Sequence, residues 1–292
     1  MKVFQVNTTV NTTSTGRIAE EIGQTLLDHG HESYIAYRKS GPGDSASNLV
    51  RIGSDIDFYL HGLKTRVLDR HGFGSKKSTK DLVKTIQKIN PDVIGLHNLH
   101  GYYLNIEVLF RYLKSAQIPV IWTFHDCWPF TGHCSFFDYV SCEKWKTGCY
   151  ECPLTNRYPA SWFIDNSQTN YQDKREIFNG LDNLTIVTPS RWLAQLTSQS
   201  FLSDYPVEVI PNGIDVDRFK PVESSFVRAK YQLADKKVLL GVASVWDRRK
   251  GLNAFLQLSK QLDDHVRIVL IGLAEKTIRE LPSNIIGIPR TE

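Results

Sequence analysis

No stretch of about 18 or more apolar residues occurs in this chain, so no membrane-spanning helix is expected. The first residues, Met1-Lys2-Val3-Phe4-Gln5-Val6, lack the long apolar run and small-residue cleavage site of a signal peptide and read as a short strand. A Walker A loop is missing, because Lys-Ser or Lys-Thr does not stand where it is required, and so is the three-glycine dinucleotide fingerprint. There is no long Lys/Arg stripe, no helix-turn-helix spacing and no RNA-binding signature, which removes nucleic acid from the expected partners. No repeat recurs at a solenoid period. The expectation is a cytoplasmic protein in a compartment where free thiols persist, with peripheral contact at the inner face of the cell membrane left open.

What is present is an α/β rhythm. The 292 residues suit two domains, and a net charge of +4 with a pI near 8.7 permits anionic substrates or an anionic membrane surface. Strands are expected over 2–6, 33–36, 93–96, 119–124, 184–187 and 207–210. Between them, helices are expected over 17–29, 58–68, 80–89, 106–114, 166–178 and 192–198. Ile18, Ile22 and Leu26 repeat at i+4 and build one apolar stripe, which Gly30 ends. Residues 39–47, rich in Gly, Ser and Pro, read as a loop, and 125–164 as a long irregular insert. Alternation of this kind predicts a doubly wound parallel sheet. After the turn residues Pro211-Asn212-Gly213-Ile214-Asp215, a second α/β unit follows: strand 237–245, helix 252–262, and strands 266–271 and 285–288.

Four places have residues suited to chemistry. The first is Thr13-Ser14-Thr15-Gly16-Arg17 between strand and helix, where glycine lets backbone approach a phosphate and hydroxyls cap the helix. An ordinary capped helix start explains it equally. The second is His125-Asp126-Cys127-Trp128 at the end of strand 119–124, the end at which parallel sheets bind ligands. His97 and His100 follow the neighbouring strand and would line the same cleft.

The third place is the cysteine set Cys134, Cys142, Cys149 and Cys152, spaced C-x7-C-x6-C-x2-C. The close pair Cys149/Cys152 is a half-site for tetrahedral zinc; structural zinc, reduced thiols and disulfides all stay open. An insert this long needs something to order it, either a metal or an aromatic cluster from Trp128, Phe130, Phe136, Phe137 and Trp145. The fourth is Arg248-Arg249-Lys250-Gly251 at a strand-to-helix turn, where cations beside helix amides would neutralise a diphosphate. A solvated charge run is the plain alternative.

In this order the four places resemble the family 4 glycosyltransferases, whose GT-B fold sets two Rossmann-like domains facing one ligand, and especially the bacterial exopolysaccharide (colanic-acid-type) branch. The resemblance rests on Ser14-Thr15-Gly16-Arg17, His97-Asn98-Leu99-His100-Gly101 and the run from His125 to Cys134. It rests further on Thr188-Pro189-Ser190, Val209-Ile210-Pro211-Asn212-Gly213-Ile214-Asp215 and Arg249-Lys250-Gly251.

The resemblance implies retaining transfer of a sugar from a nucleotide diphosphate sugar to a glycan or lipid-linked glycan acceptor, with no obligatory catalytic metal. It implies His125 and Asp126 at the reacting centre, and Gly16, Arg248, Arg249 and Lys250 at the donor diphosphate. It divides the chain into an acceptor-side Rossmann-like domain (1–211), a linker (212–225) and an incomplete donor-binding domain (226–292). Three departures stand against the pattern. The first loop has one glycine where the family often has two; Ser244 stands where many members place an Arg; and the family's glutamate motif is expected beyond residue 292. A non-catalytic glycan-binding or scaffold protein, or a nucleotide-sugar epimerase of the same fold, is the competing expectation.

Overall fold

The computed structural model describes residues 1–38, 43–223 and 225–291; the side chain of Arg248 lies outside the described residues. The chain divides into two compact units, Met1–Gly213 and Ile214–Glu292.

The first unit is built on a seven-stranded, all-parallel sheet. In chain order its strands are β1 (Lys2–Val6), β2 (Glu32–Tyr37), β3 (Asn48–Arg51), β4 (Val93–Leu96), β5 (Val120–Thr123), β6 (Leu184–Thr188) and β7 (Val207–Val209). Across the sheet they run β3-β2-β1-β4-β5-β6-β7. The chain thus builds outward from β1 in one direction, then returns to β1's other side and builds outward again. The reversal between β1 and β4 opens a crevice at their carboxyl ends, because the connections leaving the two strands turn opposite ways.

Six helices cover this sheet: α1 (Thr13–Asp28), α2 (Asp55–Leu68), α3 (Lys76–Ile89), α4 (Ile106–Ala116), α5 (Ser167–Phe178) and α6 (Arg191–Ser198). In α4, the Asn105 side chain accepts from the Val108 amide, which satisfies one orphan donor of the first turn. Leu109, Phe110 and Leu113 then fall on one buried face, and left-handed Gln117 ends the helix. Phe110 meets Phe178 of α5 at 4.6 Å between ring centroids, and Trp122 of β5 meets the same ring at 4.9 Å. All three rings are fully buried, and burial of each contributes about 3 kcal/mol.

The structure adds elements the sequence pattern does not announce. Helix α1 begins at Thr13, so the polar residues before Gly16 form its first turn. Strand β3 follows the loop expected over 39–47, of which residues 39–42 lie outside the described residues.

The second unit has a parallel three-stranded sheet in the order β10-β9-β8, from β8 (Lys237–Val242), β9 (Val266–Ile271) and β10 (Ile285–Ile288). Helix α7 (Ser225–Lys230) precedes it, and α8 (Leu252–Ser259) and α9 (Glu275–Arg279) connect its strands. Its core gathers Ile268, Leu270, Leu273 and Ile285 under Trp246 and Phe255.

Candidate functional site

The crevice between β1 and β4 holds a chain of hydrogen bonds that starts inside the sheet. On β1, the amide nitrogen of Gln5 donates to the Ala19 carbonyl of α1 at 2.9 Å. That bond fixes which way the amide is turned and leaves Gln5 Oε1 as the acceptor facing His97 Nε2 at 3.1 Å. His97 follows β4 and is buried, and burial together with His125 holds its pKa down to about 3, so it is neutral at pH 7. With its proton on Nε2, His97 presents a lone pair at Nδ1, and His125 Nε2 stands 3.1 Å from it. His125 therefore donates from Nε2 and keeps a lone pair on Nδ1. Its own pKa is lowered to about 4, chiefly by burial, which Asp126 only partly offsets. The two imidazoles stack at 5.4 Å. One tautomer is thus propagated from a helix carbonyl to the strand end.

A second chain runs beside it. Asp126 is buried; its Oδ1 accepts from the Trp128 amide at 2.9 Å, and its Oδ2 meets His100 Nε2 at 2.7 Å. Burial opposes the charged form, but His100 and the Trp128 amide outweigh it and hold the carboxyl below the usual carboxylate range. The other ring nitrogen of His100 meets the Tyr158 hydroxyl at 2.9 Å. His125 and Asp126 are neighbours in sequence, yet they serve separate networks.

The loop joining His97 to His100 is held by Thr8, whose hydroxyl donates to the His100 carbonyl at 2.9 Å. Gly101 has φ +119°, and a Cβ there would lie 2.8 Å from the Thr8 methyl, so both backbone conformation and close packing require glycine. Asn7, just past β1, gives its amide to the Thr9 carbonyl, while its buried Oδ1 has no partner among the described residues.

Gly16 is buried within the first turn of α1, where a Cβ would stand 2.6 Å from Thr9 Oγ1 and 3.2 Å from the Thr9 carbonyl carbon. Glycine there lets the helix seat on its own entry loop. Thr12 makes no side-chain cap, so helix-terminal amides at this corner are left to other acceptors.

In the second unit, Asp247 Oδ1 accepts from the Lys250 amide at 3.0 Å and closes the 3-10 turn Arg248–Lys250. Gly251, at φ +76°, then opens α8. The Lys250 side chain is exposed, as is Arg249. Arg248 was the third cation expected here, and its side chain lies outside the described residues.

The expected zinc site is not formed. Cys134, Cys142, Cys149 and Cys152 do line one small cavity. Yet among the described residues no group of three or more His, Cys, Asp or Glu is placed to hold a metal ion. The sulfurs have other partners. Cys134 hydrogen-bonds Cys152, raising the first thiol and lowering the second. Cys149 accepts from the Gly132 amide at 3.2 Å, and burial pushes it up to about 12. All are free cysteines, which leaves the reduced-thiol alternative.

Aromatic packing orders the insert: Trp145 lies 5.3 Å from Phe130 and 5.0 Å from Phe137. Two buried polar ties add to it. His133 meets Asp69 at 2.5 Å, and Lys174 donates to the Trp128 and Thr131 carbonyls at 2.8 and 2.9 Å. Gln5, Asn7 and Tyr158 were not anticipated as site residues. A polar side chain inside an otherwise apolar strand was the available signal for Gln5; nothing local marks Tyr158.

The sequence model of Glycosyltransferase Family 4 matches residues 15–218. The chain belongs to this family. It is 27% identical over 230 residues to a putative colanic acid biosynthesis glycosyl transferase, WcaC, of Escherichia coli K12. The match takes in 74% of this chain and 55% of the relative, so the chain spans about half the length of the curated protein it matches. Among solved structures it resembles sucrose-phosphate synthase of Thermosynechococcus elongatus, with a TM-score of 0.64 and 14% identity over 100% of this chain and 71% of that one. Anabaena HepE, solved in complex with UDP-glucose, gives a TM-score of 0.57 and 15% identity, with 100% and 70% covered. At these identities the likeness is one of fold, and that fold is the GT-B type expected from the sequence.

Proposed function

We propose that the chain provides the acceptor-side domain and part of the donor-side domain of a retaining glycosyltransferase of exopolysaccharide-type biosynthesis. Its donor is a nucleotide diphosphate sugar and its acceptor a glycan or lipid-linked glycan. The observation that carries this reading is the Gln5–His97–His125 chain at the topological switch point of a family 4 domain. A neutral imidazole with a lone pair on Nδ1 suits the binding and orientation of a sugar hydroxyl, and its low pKa argues against a role as general acid.

The glycosidic bond to a diphosphate breaks with negative charge growing on the phosphate oxygen. Cations there stabilise the transition state more than the ground state. Lys250 and Arg249 of the second unit are assigned to that charge, and the amides opening α1 to a donor oxygen. HepE was solved with UDP-glucose, so UDP-sugars are the first donors to try. Asp126, through His100, is a positioning residue for the acceptor side.

The test is release of nucleoside diphosphate from a panel of nucleotide sugars, with and without acceptor glycans, together with NMR assignment of the product anomer. Acceptor-dependent release with the donor's configuration kept supports the reading. Release that ignores the acceptor, or an inverted product, overturns it.

A further inference from the structure

Helix α2 turns its apolar stripe the wrong way for a helix packed on a sheet. Ile56, Tyr59, Leu60 and Leu63 follow the i, i+3, i+4, i+7 spacing of one helical face, and they are 72%, 71%, 61% and 51% exposed. The buried positions of the helix are the polar His61 and Thr65. A surface helix ordinarily points such a stripe inward. The insert extends the patch. Trp162 and Phe163 are 56% and 80% exposed, and the Trp162 amide donates to the Arg66 carbonyl of α2 at 2.7 Å. The Arg66 guanidinium lies over the Trp162 ring at 5.6 Å.

The charge around the patch is positive. The two acids of α2 are engaged: Asp55 with Arg38 at 2.9 Å and Arg51 at 3.2 Å, and Asp57 with the Ser78 hydroxyl at 2.9 Å. Lys64 and Arg66 project from the same helix. Lys64 is held at the Phe73 carbonyl and feels Arg70 and Lys76 close by.

We propose that the outward face of α2, with Trp162 and Phe163, is a docking surface for an anionic lipid bilayer. An apolar stripe with Trp and Tyr on it and cations beside it is the composition of a helix lying in the headgroup layer. A second copy of the chain fits less well, because a two-fold contact through this face would bring Lys64 and Arg66 against their own symmetry mates. The patch is joined to the candidate site by aromatic contacts. Phe58 of α2 meets Tyr102 at 5.7 Å, Tyr102 meets Tyr158 at 6.1 Å, and Tyr158 bonds His100. Its use in presenting a lipid-linked acceptor rests on the proposed function; the docking itself does not.

The test is sedimentation of the chain with vesicles of phosphatidylcholine alone or mixed with phosphatidylglycerol, at low and high salt. Wild type is expected to sediment with the anionic vesicles and to be partly released by salt. Leu60→Glu/Leu63→Glu is expected to lower partitioning at least about tenfold, and Arg66→Gln to weaken binding to the anionic vesicles only. Trp162→Ser/Phe163→Ser, away from any helix, serves as the second variant if the α2 change disturbs folding. The proposal is overturned if wild type stays in solution with both vesicles, or if both double variants sediment like wild type. It is also overturned if sedimentation velocity shows a dimer that Leu60→Glu/Leu63→Glu dissolves. Because the readout is partitioning, failure here leaves sugar transfer to soluble acceptors standing, and loss of transfer leaves the docking result intact.

Discussion

Acid should unfold the first unit through its buried imidazoles, and His61 isolates the effect. Its Nε2 accepts from the amides of Gly72 and Gly74, both at 3.3 Å, and its Nδ1 meets the Ser75 hydroxyl at 3.0 Å. Protonating Nε2 would set a hydrogen against two amide hydrogens in a buried site. Burial, with Lys64 adding to it, holds the pKa down to about 3, against 6.5 for a free imidazole. The folded-state value is the depressed one, so the unfolded chain binds the extra proton. The stability His61 supports is complete above pH 6.5 and is lost as pH falls toward about 3.

At pH 5 the unfolded imidazole is about 1.5 units below its pKa, and at 1.36 kcal/mol per unit the loss is about 2 kcal/mol. His97 and His125, held down to about 3 and about 4, act with the same sign. The assay is urea unfolding between pH 7.5 and 4.5, followed by tryptophan emission. Trp246 is the one tryptophan of six that lies outside the first unit, so the signal reports mainly on that unit. His61→Gln, which keeps an acceptor for the two amides, is expected to flatten the pH slope near pH 5 by about one proton. A slope unchanged from wild type would show that His61 titrates normally in the folded chain, and the burial argument would be wrong.

Other predictions follow from single contacts. Lys174→Met strips the Trp128 and Thr131 carbonyls of their donor and is expected to cost about 2–4 kcal/mol, read as a lower calorimetric Tm of the first unit. Cys152, lowered by its bond from Cys134, is expected to be the first thiol alkylated near neutral pH, with Cys149 and buried Cys127 last; mass spectrometry of a time course would show the order. Asp126→Asn removes the charge facing His100 and is expected to lower kcat/KM for acceptor about tenfold or more while leaving donor affinity unchanged, as titration calorimetry would show.

Much of the fold was legible because the strands of a doubly wound sheet are short apolar runs between turn residues. Strands 2–6, 93–96 and 266–271 were expected from such runs and lie where expected. Strand β3 was not, since as an exposed edge strand of Asn, Leu, Val and Arg it has neither a continuous apolar run nor a buried face. The site was legible at its strand ends, where His97 and His125 follow β4 and β5. It was illegible across the sheet: Gln5 lies 92 residues from His97, and Tyr158 lies 58 from His100. No local period reports such pairings. Cysteine spacing misled for the same reason. Four thiols can converge on one cavity without reaching the geometry of a metal ligand set. The outward stripe of α2 has an ordinary helical period, so the sequence alone did not reveal which side it faces.

The central claim is that His125, set by Gln5 and His97, acts on the sugar of a nucleotide diphosphate donor. The most direct measurement is acceptor-dependent nucleoside diphosphate release by wild type, His125→Ala and Lys250→Ala, using lipid extract from polysaccharide-producing cells as acceptor. Release by wild type is expected to fall on the order of 100-fold in each variant, with His125→Ala losing kcat while its unfolding midpoint at neutral pH holds. Undiminished release in both variants would contradict the account.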